Sequence, residues 1–247
     1  MRSIAILAAL IAIPAMAQTM TIQPLTSAAA TEKRSFALHS GGNLTVATIN
    51  GAVKVTAWDR NEVTLTAEFK ANSDGDHTLL EIDSKNNSLG LTVKHPKNRD
   101  SKGPRQSAVC NLELMVPRNI VGNINTVNGS IGFTSITGNN KANAVNGSIT
   151  LEDVSGNLNV NAVNGTISGS VRDIDKSLDV STVNGTIKVK LINPNGTVQV
   201  SKVNGSVKLN TPGAYDLVSE KNKVSAKFGS GMATLKFRTV NGSVTID

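Results

Sequence analysis

Hydrophobic and polar residues alternate along much of the chain in short stretches, which is the period-two pattern of β-strands with one buried face. Many of these stretches surround Val-Asn-Gly followed by Ser or Thr, as in AVNGSI at residues 144–149. Successive copies are separated by gaps of 18, 18, 20, 20 and 37 residues, counted between Asn128, Asn146, Asn164, Asn184, Asn204 and Asn241. A looser copy contains Asn50, and we interpret Asn222, inside the longest gap, as the position of a degenerate copy. A nearly fixed period predicts stacked repeats that bury a common core.

Two arrangements of these strands compete. Asn-Gly between apolar runs is a strong β-hairpin signal, but a two-residue hairpin loop would pair Val127 with Ser130 and Thr126 with Ile131, an apolar side chain against a polar one. A chain that continues through Asn-Gly without reversing places Val127, Ile131 and Phe133 on one inward face. The corresponding valines of all the remaining copies would face inward as well. The pattern therefore predicts an all-β fold, a single-chain parallel β-solenoid with coils of 18–20 residues. Its coils would form a right-handed β-helix if they follow the usual chirality of parallel crossovers.

We interpret each Asn-Gly as a corner between two strands of a coil. Glycine suits a place where a Cβ atom would crowd the turn or where φ is positive, and asparagine tolerates left-handed backbone. Equivalent asparagines of successive coils should also stack into an amide ladder. The predicted corners are Asn50, Gly51, Asn128, Gly129, Asn146, Gly147, Asn164, Gly165, Asn184, Gly185, Asn204, Gly205, Asn241 and Gly242.

The domain boundaries follow from changes in composition along the chain. Residues 1–17 combine a positive start, an apolar run and an Ala-Met-Ala cleavage site, which predicts a secretory signal peptide cleaved near Ala17. An N-terminal membrane anchor is disfavoured because the apolar run is too short to span a bilayer. Residues 18–35 are small and polar and predict a flexible lead. Residues 36–247 are the solenoid, with enlarged coils over 36–120 and regular coils over 121–247, and a separate antiparallel layer is the alternative for the first part. We therefore expect an exported protein that is periplasmic, secreted or at the cell surface, with no transmembrane segment in its mature chain.

The charge balance favours anionic partners. Without Arg2, 24 basic residues oppose 18 acidic residues, which leaves a net charge of +6. Such a surplus favours lipid headgroups, acidic glycans or other anionic surfaces. A basic segment contains Lys97, Arg99, Lys102 and Arg105, which we take as candidate binding residues. The chain has only seven aromatic residues, too few for the stacking platforms of single-stranded nucleic-acid binders, so we expect no nucleic-acid partner.

The chain contains no recognisable catalytic or metal-binding motif. Its three histidines lack zinc-type spacing, and Asn72–His77 alternates oxygen ligands without the glutamate that a calcium loop needs. Glu152, Asp153, Asp173 and Asp175 could form a small acidic patch in equivalent connections, but charge at a surface turn is the better explanation. Cys110 alternates with apolar residues and predicts a buried, inert thiol. We therefore expect no catalytic residue, metal or cofactor.

Several elements together resemble a known bacterial family. They are the GGNLTVATINGAVKVTAWDRNEVTLTAE segment, the LELMVP strand, the repeated VNG coils and the closing GSGMATLKFRTVNGSVTI segment, which span residues 36–247. This combination resembles the β-strand-repeat proteins labelled "putative adhesin", a family of unknown function. The resemblance implies an exported or envelope-associated β-solenoid without established catalytic residues. The coil near Asn222 departs from the pattern because Lys223 replaces the glycine.

Three hypotheses of function follow. The leading one is a non-catalytic envelope protein with an adhesin-like surface, which binds an anionic envelope or matrix polymer through repeated weak contacts. The second is a structural or stress-response periplasmic component that binds an envelope protein at the C-terminal strand edge, because Val244 and Ile246 have no obvious cap. The third is cleavage of a polysaccharide that depends on Glu152 or Asp173.

Overall fold

The computed structural model describes residues 18–22, 30–70, 78–95 and 108–247. These residues form twenty-two β-strands and no helix, which confirms the all-β prediction. The strands are β1 (Gln18–Ile22), β2 (Ala30–Ala37), β3 (Gly42–Asn50), β4 (Val53–Trp58), β5 (Glu62–Lys70), β6 (Leu79–Lys85), β7 (Ser88–Lys94), β8 (Val109–Pro117), β9 (Asn119–Asn128), β10 (Ile131–Thr134), β11 (Thr137–Asn146), β12 (Ile149–Val154), β13 (Asn157–Asn164), β14 (Ile167–Arg172), β15 (Ser177–Asn184), β16 (Ile187–Ile192), β17 (Gly196–Asn204), β18 (Val207–Leu209), β19 (Tyr215–Ser219), β20 (Lys223–Phe228), β21 (Ala233–Asn241) and β22 (Val244–Ile246). Nowhere in these described ranges is there a helix long and apolar enough to span a bilayer.

The strands form two large sheets that are mostly parallel. Sheet I has the order β1-β6-β7-β3-β9-β11-β13-β15-β21-β17-β20-β19, and sheet II has the order β18-β22-β16-β14-β12-β10-β4-β8-β5-β2. A coil is a strand of sheet I followed by a strand of sheet II, and the seven Asn-Gly coils are β3–β4, β9–β10, β11–β12, β13–β14, β15–β16, β17–β18 and β21–β22. Neighbouring coils pair in parallel, with Asn128 opposite Asn146 in sheet I and Ile131 opposite Ile149 in sheet II. The chain thus runs through each Asn-Gly without reversing, as the register argument predicted.

The core lies between the two sheets and continues along the whole stack. Strand β10 shows how it forms, because Ile131 and Phe133 point inward and are fully buried while Gly132 and Thr134 point outward. A single cluster of buried apolar side chains extends from Phe36 in β2 to Ile246 in β22. Burial of this apolar surface is the main force that holds the coils together.

The corners lie at the Asn-Gly residues, as predicted, but the residue before each of them faces outward. Thr126 is only 3% exposed, whereas Val127 is 38% exposed on the outer face of sheet I. The predicted inward orientation is therefore wrong for the apolar residue before each Asn-Gly, namely Ile49, Val127, Val145, Val163, Val183, Val203 and Val240, which are all exposed. The two sheets meet at the corner, and the last inward position before it is occupied by a small residue, such as Ala144 or Ala162.

The coils do not stack in chain order. Strand β21 lies between β15 and β17, and β22 lies between β16 and β18. The last coil fits there because its register equals that of its neighbours, with Asn241 opposite both Asn184 and Asn204. The prediction of an open strand edge at Val244 and Ile246 is therefore wrong, since both residues are fully buried and β22 is paired on both sides. The edges at this end are β18 in sheet II and β19 in sheet I.

The segment around Asn222 is an antiparallel hairpin and not the predicted degenerate coil. Strand β20 pairs antiparallel with β17 and with β19, and Asn222 lies in the turn between β19 and β20. A glycine at each true corner approaches the backbone of the next coil so closely that a Cβ atom would overlap it. Lys223, which follows Asn222, has such an atom and cannot form this corner.

The first strands add antiparallel layers to both sheets. Strand β1 pairs with β6 and β2 pairs with β5, so residues 18–22 and 30–35 are not the flexible lead that their composition predicted. Strands β7 and β8 stack in parallel on β3 and β4, whereas β5 and β6 run antiparallel to β8 and β7. Pairing with β1 and β2 satisfies backbone groups that the outer strands would otherwise leave open. The predicted signal peptide, residues 72–77 and the basic segment 96–107 lie outside the described residues.

Candidate binding surface

The seven corner asparagines form a continuous amide ladder along the side of sheet I where its strands end at the corners. Each side-chain nitrogen except that of Asn50 donates a hydrogen bond to the amide oxygen of the neighbouring coil, with N–O distances of 2.9–3.0 Å. In spatial order the ladder contains Asn50, Asn128, Asn146, Asn164, Asn184, Asn241 and Asn204. This is the stacking predicted from the repeat, and each amide keeps a further donor and acceptor site on an exposed side chain.

The glycine at each corner is required mainly by the close approach of successive coils. A Cβ atom on Gly147 would lie 1.8 Å from the carbonyl oxygen of Gly129, and one on Gly165 would lie 2.1 Å from the carbonyl oxygen of Gly147. Only some of these glycines also have positive φ, such as Gly51 at +136°. The repeated Asn-Gly therefore sets the spacing of the coils.

A groove runs across the outer face of sheet I beside the amide ladder. One wall consists of exposed valines, in spatial order Val127, Val145, Val163, Val183, Val240 and Val203. The opposite wall consists of the residues two positions earlier on each strand, namely Asn125, Asn143, Asn161, Ser181, Arg238 and Ser201, and begins at Ala47. The enclosed volume is about 770 Å³. We call this feature the valine groove.

Hydrogen bonds fix the polar wall of the valine groove. The Asn143 amide donates to Asn125 at 2.7 Å, the Asn161 amide donates to Asn143 at 3.0 Å, and the Ser181 hydroxyl donates to Asn161. These side chains satisfy one another and are uncharged. Over its first four strands the groove is therefore a neutral channel with one apolar wall.

The far end of the valine groove is basic. Arg238 on β21 belongs to the polar wall of the groove and donates to Asp179 at 2.6 Å, whereas Lys202 on β17 lies opposite Thr239 and therefore occupies an inward position. An adjoining cavity of about 480 Å³ shares Arg238 and is also lined by Lys223, Lys236 and Glu220. Within the part of the chain that the structure describes, neither Lys223 nor Lys236 forms an ion pair. These amines are therefore available to an anionic group.

The acidic patch considered from the sequence is partly neutralised. Glu152 accepts a hydrogen bond from Thr134 at 3.2 Å, and Asp153 forms an ion pair with Arg172. Among the described residues, no group of three or more histidine, cysteine or acidic side chains could hold a metal ion. Cys110 is fully buried, and this burial raises the pKa of its thiol to about 12.

Sequence reasoning missed the valine groove and its basic end. The predicted binding residues Lys97, Arg99, Lys102 and Arg105 lie outside the described residues, so the structure does not relate them to this groove. The available signal was that Thr or Ala precedes the valine in five of the six full copies, because alanine at two of them indicates a small buried position rather than an exposed polar one.

Comparisons with known proteins place the chain in a family. No curated protein shows significant sequence similarity to it. A putative cell adhesion protein from Clostridium sporogenes is 9% identical with a TM-score of 0.38, and the alignment covers 88% of this chain and 99% of that one. A putative adhesin from Bacteroides fragilis is 10% identical with a TM-score of 0.27, covering 88% and 97%. A putative lipid binding protein from Parabacteroides distasonis is 13% identical with a TM-score of 0.32, covering 88% and 96%.

The family model described as Toastrack DUF4097 matches residues 31–247, which is nearly all of the chain. This match confirms the resemblance to the β-strand-repeat adhesin-like proteins of unknown function, and the chain belongs to the Toastrack DUF4097 family.

Proposed function

We propose that this protein is a non-catalytic, exported envelope protein that binds an anionic envelope or matrix polymer through an adhesin-like surface. The distribution of charge carries this proposal. Residues 176–247 contain ten basic and four acidic residues, whereas residues 18–175 contain fourteen of each. The whole surplus of +6 therefore belongs to the C-terminal end of the stack, where it can attract a polyanion.

The basic side chains at this end point outward from both sheets. Lys188 and Lys190 lie on β16 and Lys208 on β18 in sheet II, while Lys236 and Arg238 lie on β21 in sheet I. Their spacing follows the strand separation of about 4.8 Å. A linear polyanion can contact several of them at once, so individually weak contacts add up to useful avidity.

Sedimentation of the purified protein with isolated envelope polymers across a salt series tests this proposal. We expect binding at low salt that weakens steeply as salt screens the charges. The variant Lys188→Gln/Lys190→Gln/Lys208→Gln should bind more weakly, whereas the matched variant Lys54→Gln/Lys70→Gln/Lys85→Gln should bind normally. A third variant with Lys97, Arg99, Lys102 and Arg105 all changed to Gln tests the basic segment as a second contact. Failure of the unchanged protein to bind at low salt would overturn the proposal.

A second candidate function is assembly with an envelope protein through the edge of sheet I. Strand β19 pairs only with β20 and exposes Leu217 by 62% and Val218 by 53%. Open strand edges with apolar side chains are sites of strand addition. The Ser219 N–H points to the open edge, because Glu220 pairs with Lys223 and hydrogen-bonded pairs alternate along the hairpin. The variant Ser219→Pro removes this donor, and loss of a cross-linked partner in this variant, with polymer binding retained, would favour this function.

A further inference from the structure

The coil β17–β18 at the end of the stack keeps backbone donors that every other Asn-Gly coil uses. In each of the six other coils, the corner glycine and the residue two positions later donate hydrogen bonds to the next coil. Gly147 N–H, for example, donates to the carbonyl oxygen of Asn164 at 3.2 Å. The equivalent donors of the last coil are Gly205 and Val207, and neither has a backbone acceptor within the described residues. The stack therefore ends in groups that can pair with one more segment.

The open edge of β18 continues this row of donors. Asn210 N–H donates to the carbonyl oxygen of Ile246 at 2.7 Å, so the backbone groups of this residue and of Lys208 face β22. Backbone groups of successive residues in a strand point to opposite sides, so those of Val207 and Leu209 point away from β22. Among the described strands, β18 pairs only with β22. These edge groups can therefore pair with an added strand.

Sheet I extends over this edge from the opposite side of the core. It continues past β17 with β20 and β19, whereas sheet II ends at β18. Val224 of β20 lies opposite Val200 and faces the core, yet it is only half-buried, as are Val207 and Leu209. A strand added to β18 would lie opposite β20 and cover these three side chains. Sheet II therefore has room for one further strand with apolar residues on its inner face.

The outer face of β18 selects the charge of an added strand. Lys208 is exposed there, and its neighbours across the sheet are Thr245 on β22 and Lys188 on β16. A charge directly opposite on a neighbouring strand stabilises the pair when its sign is opposite and destabilises the pair when its sign is the same. The strand that fits beside Lys208 therefore carries an acidic residue on its outer face.

We propose that the edge of β18 binds an extended segment of another protein, in which apolar residues alternate with an acidic one. The segment adds a strand to sheet II in parallel with β18, so that Gly205, Val207 and Leu209 donate to its backbone. Its apolar side chains cover Val224, and its carboxylate lies beside Lys208. The segment binds sheet II through a few residues, so the proposal depends neither on polymer binding nor on the edge at β19.

A second copy of the chain does not fit this edge. In a twofold dimer β18 would pair with its own copy, and β19 and β20 of both copies would extend over the junction in the same layer and collide. A head-to-tail contact would use β2, the opposite edge of sheet II. There Glu32 and Arg34 lie opposite Ala67 and Leu65 on the core-facing side and form an ion pair at 3.0 Å. Inward-pointing charges on an edge strand prevent strand addition.

The probe for this site is a synthetic heptapeptide with the sequence of residues 241–247 and the substitution Thr245→Glu. In the register of a further coil, its asparagine donates to the amide oxygen of Asn204, the last residue of the ladder, and its glutamate lies beside Lys208. Fluorescence anisotropy of the labelled peptide measures its affinity for the purified protein. We expect saturable binding that weakens about fivefold in Lys208→Glu and recovers when the peptide carries Thr245→Lys instead.

Backbone pairing is tested by two N-methylated peptides that differ only in the position of the methyl group. The glutamate N–H faces β18 in this register, as the Lys208 N–H faces β22, whereas the N–H of the preceding valine faces solvent. Methylation of the glutamate nitrogen should weaken binding about fivefold, and methylation of the valine nitrogen should leave binding unchanged. Because the protein is the same in both titrations, its folding does not affect the comparison.

Two proline variants locate the site on the protein. Val207→Pro removes a donor from the open edge of sheet II and should weaken binding about fivefold, with circular dichroism as the check of folding. Ser219→Pro removes a donor from the edge of sheet I and should leave binding unchanged.

Three results would overturn the proposal. The first is the absence of saturable heptapeptide binding. The second is an equal effect of the two N-methylations, because side chains alone would then hold the peptide. The third is loss of binding in Ser219→Pro with binding retained in Val207→Pro, which would assign the segment to β19.

Discussion

The corner glycines provide a direct test of how the coils are held at their spacing, and Gly165→Ala is the most informative change. A Cβ atom at residue 165 would lie 2.1 Å from the carbonyl oxygen of Gly147 and 2.8 Å from its carbonyl carbon. An ordinary carbon–oxygen contact is about 3.3 Å or longer. The neighbouring coils would therefore have to separate by about 1 Å at this corner, since both contacting groups belong to the backbone.

The cost of this separation can be worked out from the interactions at the corner. The affected hydrogen bonds are Gly147 N–H to Asn164 at 3.2 Å, Ile149 N–H to Thr166 at 2.9 Å and the Asn164–Asn146 amide bond at 3.0 Å. Overpacking of this kind costs about 1–3 kcal/mol, and each weakened hydrogen bond adds up to about 1 kcal/mol. Alanine also lowers the conformational entropy of the unfolded chain, which offsets at most about 1 kcal/mol of this destabilisation. We expect a net loss of about 3 kcal/mol in unfolding free energy.

Guanidinium unfolding followed by far-ultraviolet circular dichroism measures this loss. Gly132→Ala is the matched control, because Gly132 lies on the outer face of β10 and the atom nearest to a new Cβ atom is Lys54 Cγ at 3.9 Å, an ordinary contact. We expect the control to unfold within about 0.5 kcal/mol of the unchanged protein. If Gly165→Ala were equally well tolerated, close approach of the coils would not explain the repeated glycine.

Three further changes test other parts of the structure. Asn164→Ala removes the amide bonds to Asn146 and from Asn184 and should lower the unfolding free energy by about 1 kcal/mol in the same unfolding assay, and an unchanged midpoint would show that the ladder adds no stability. The Cys110 thiol should resist a thiol-specific reagent at pH 8 in the folded protein and react after denaturation, because burial raises its pKa to about 12; rapid labelling of folded protein would contradict this. The intact mass of the exported protein should equal that of a chain beginning at Gln18, and a mass that includes residues 1–17 would exclude cleavage at Ala17.

Much of the fold was predictable because the repeat is regular. The period-two alternation and the failed hairpin register together required strands that continue through Asn-Gly. The amide ladder followed from parallel stacking of identical residues at one position. These are local arguments, and each of the six full copies repeats them. A wrong strand direction at one copy would therefore have conflicted with the next.

The orientation of the valines was not predictable from hydrophobicity alone. Thr126 and Val127 have nearly the same shape, and the pattern assigned the core position to the more apolar of the two. At a corner the size of the side chain decides instead, because the sheets converge there, and threonine or alanine occupies the inward position in every coil except β17–β18, where it is Lys202. The valines are consequently exposed in a row, and this row forms one wall of the candidate binding groove.

The order of the coils could not be predicted for a related reason. Identical repeats have interchangeable registers, so β21 pairs equally well with β15 on one side and β17 on the other. Nothing in the sequence of a single coil indicates whether it inserts between two earlier coils or adds to the end of the stack. Yet this choice brings Arg238 beside Ser201 and so places a cation in the polar wall of the valine groove. If β21 were added beyond β17, as chain order suggests, it would occupy the edge where β20 now pairs, and Lys223 could not lie beside Ser201. The basic end of the groove therefore depends on the insertion of the last coil and on the hairpin that covers β17.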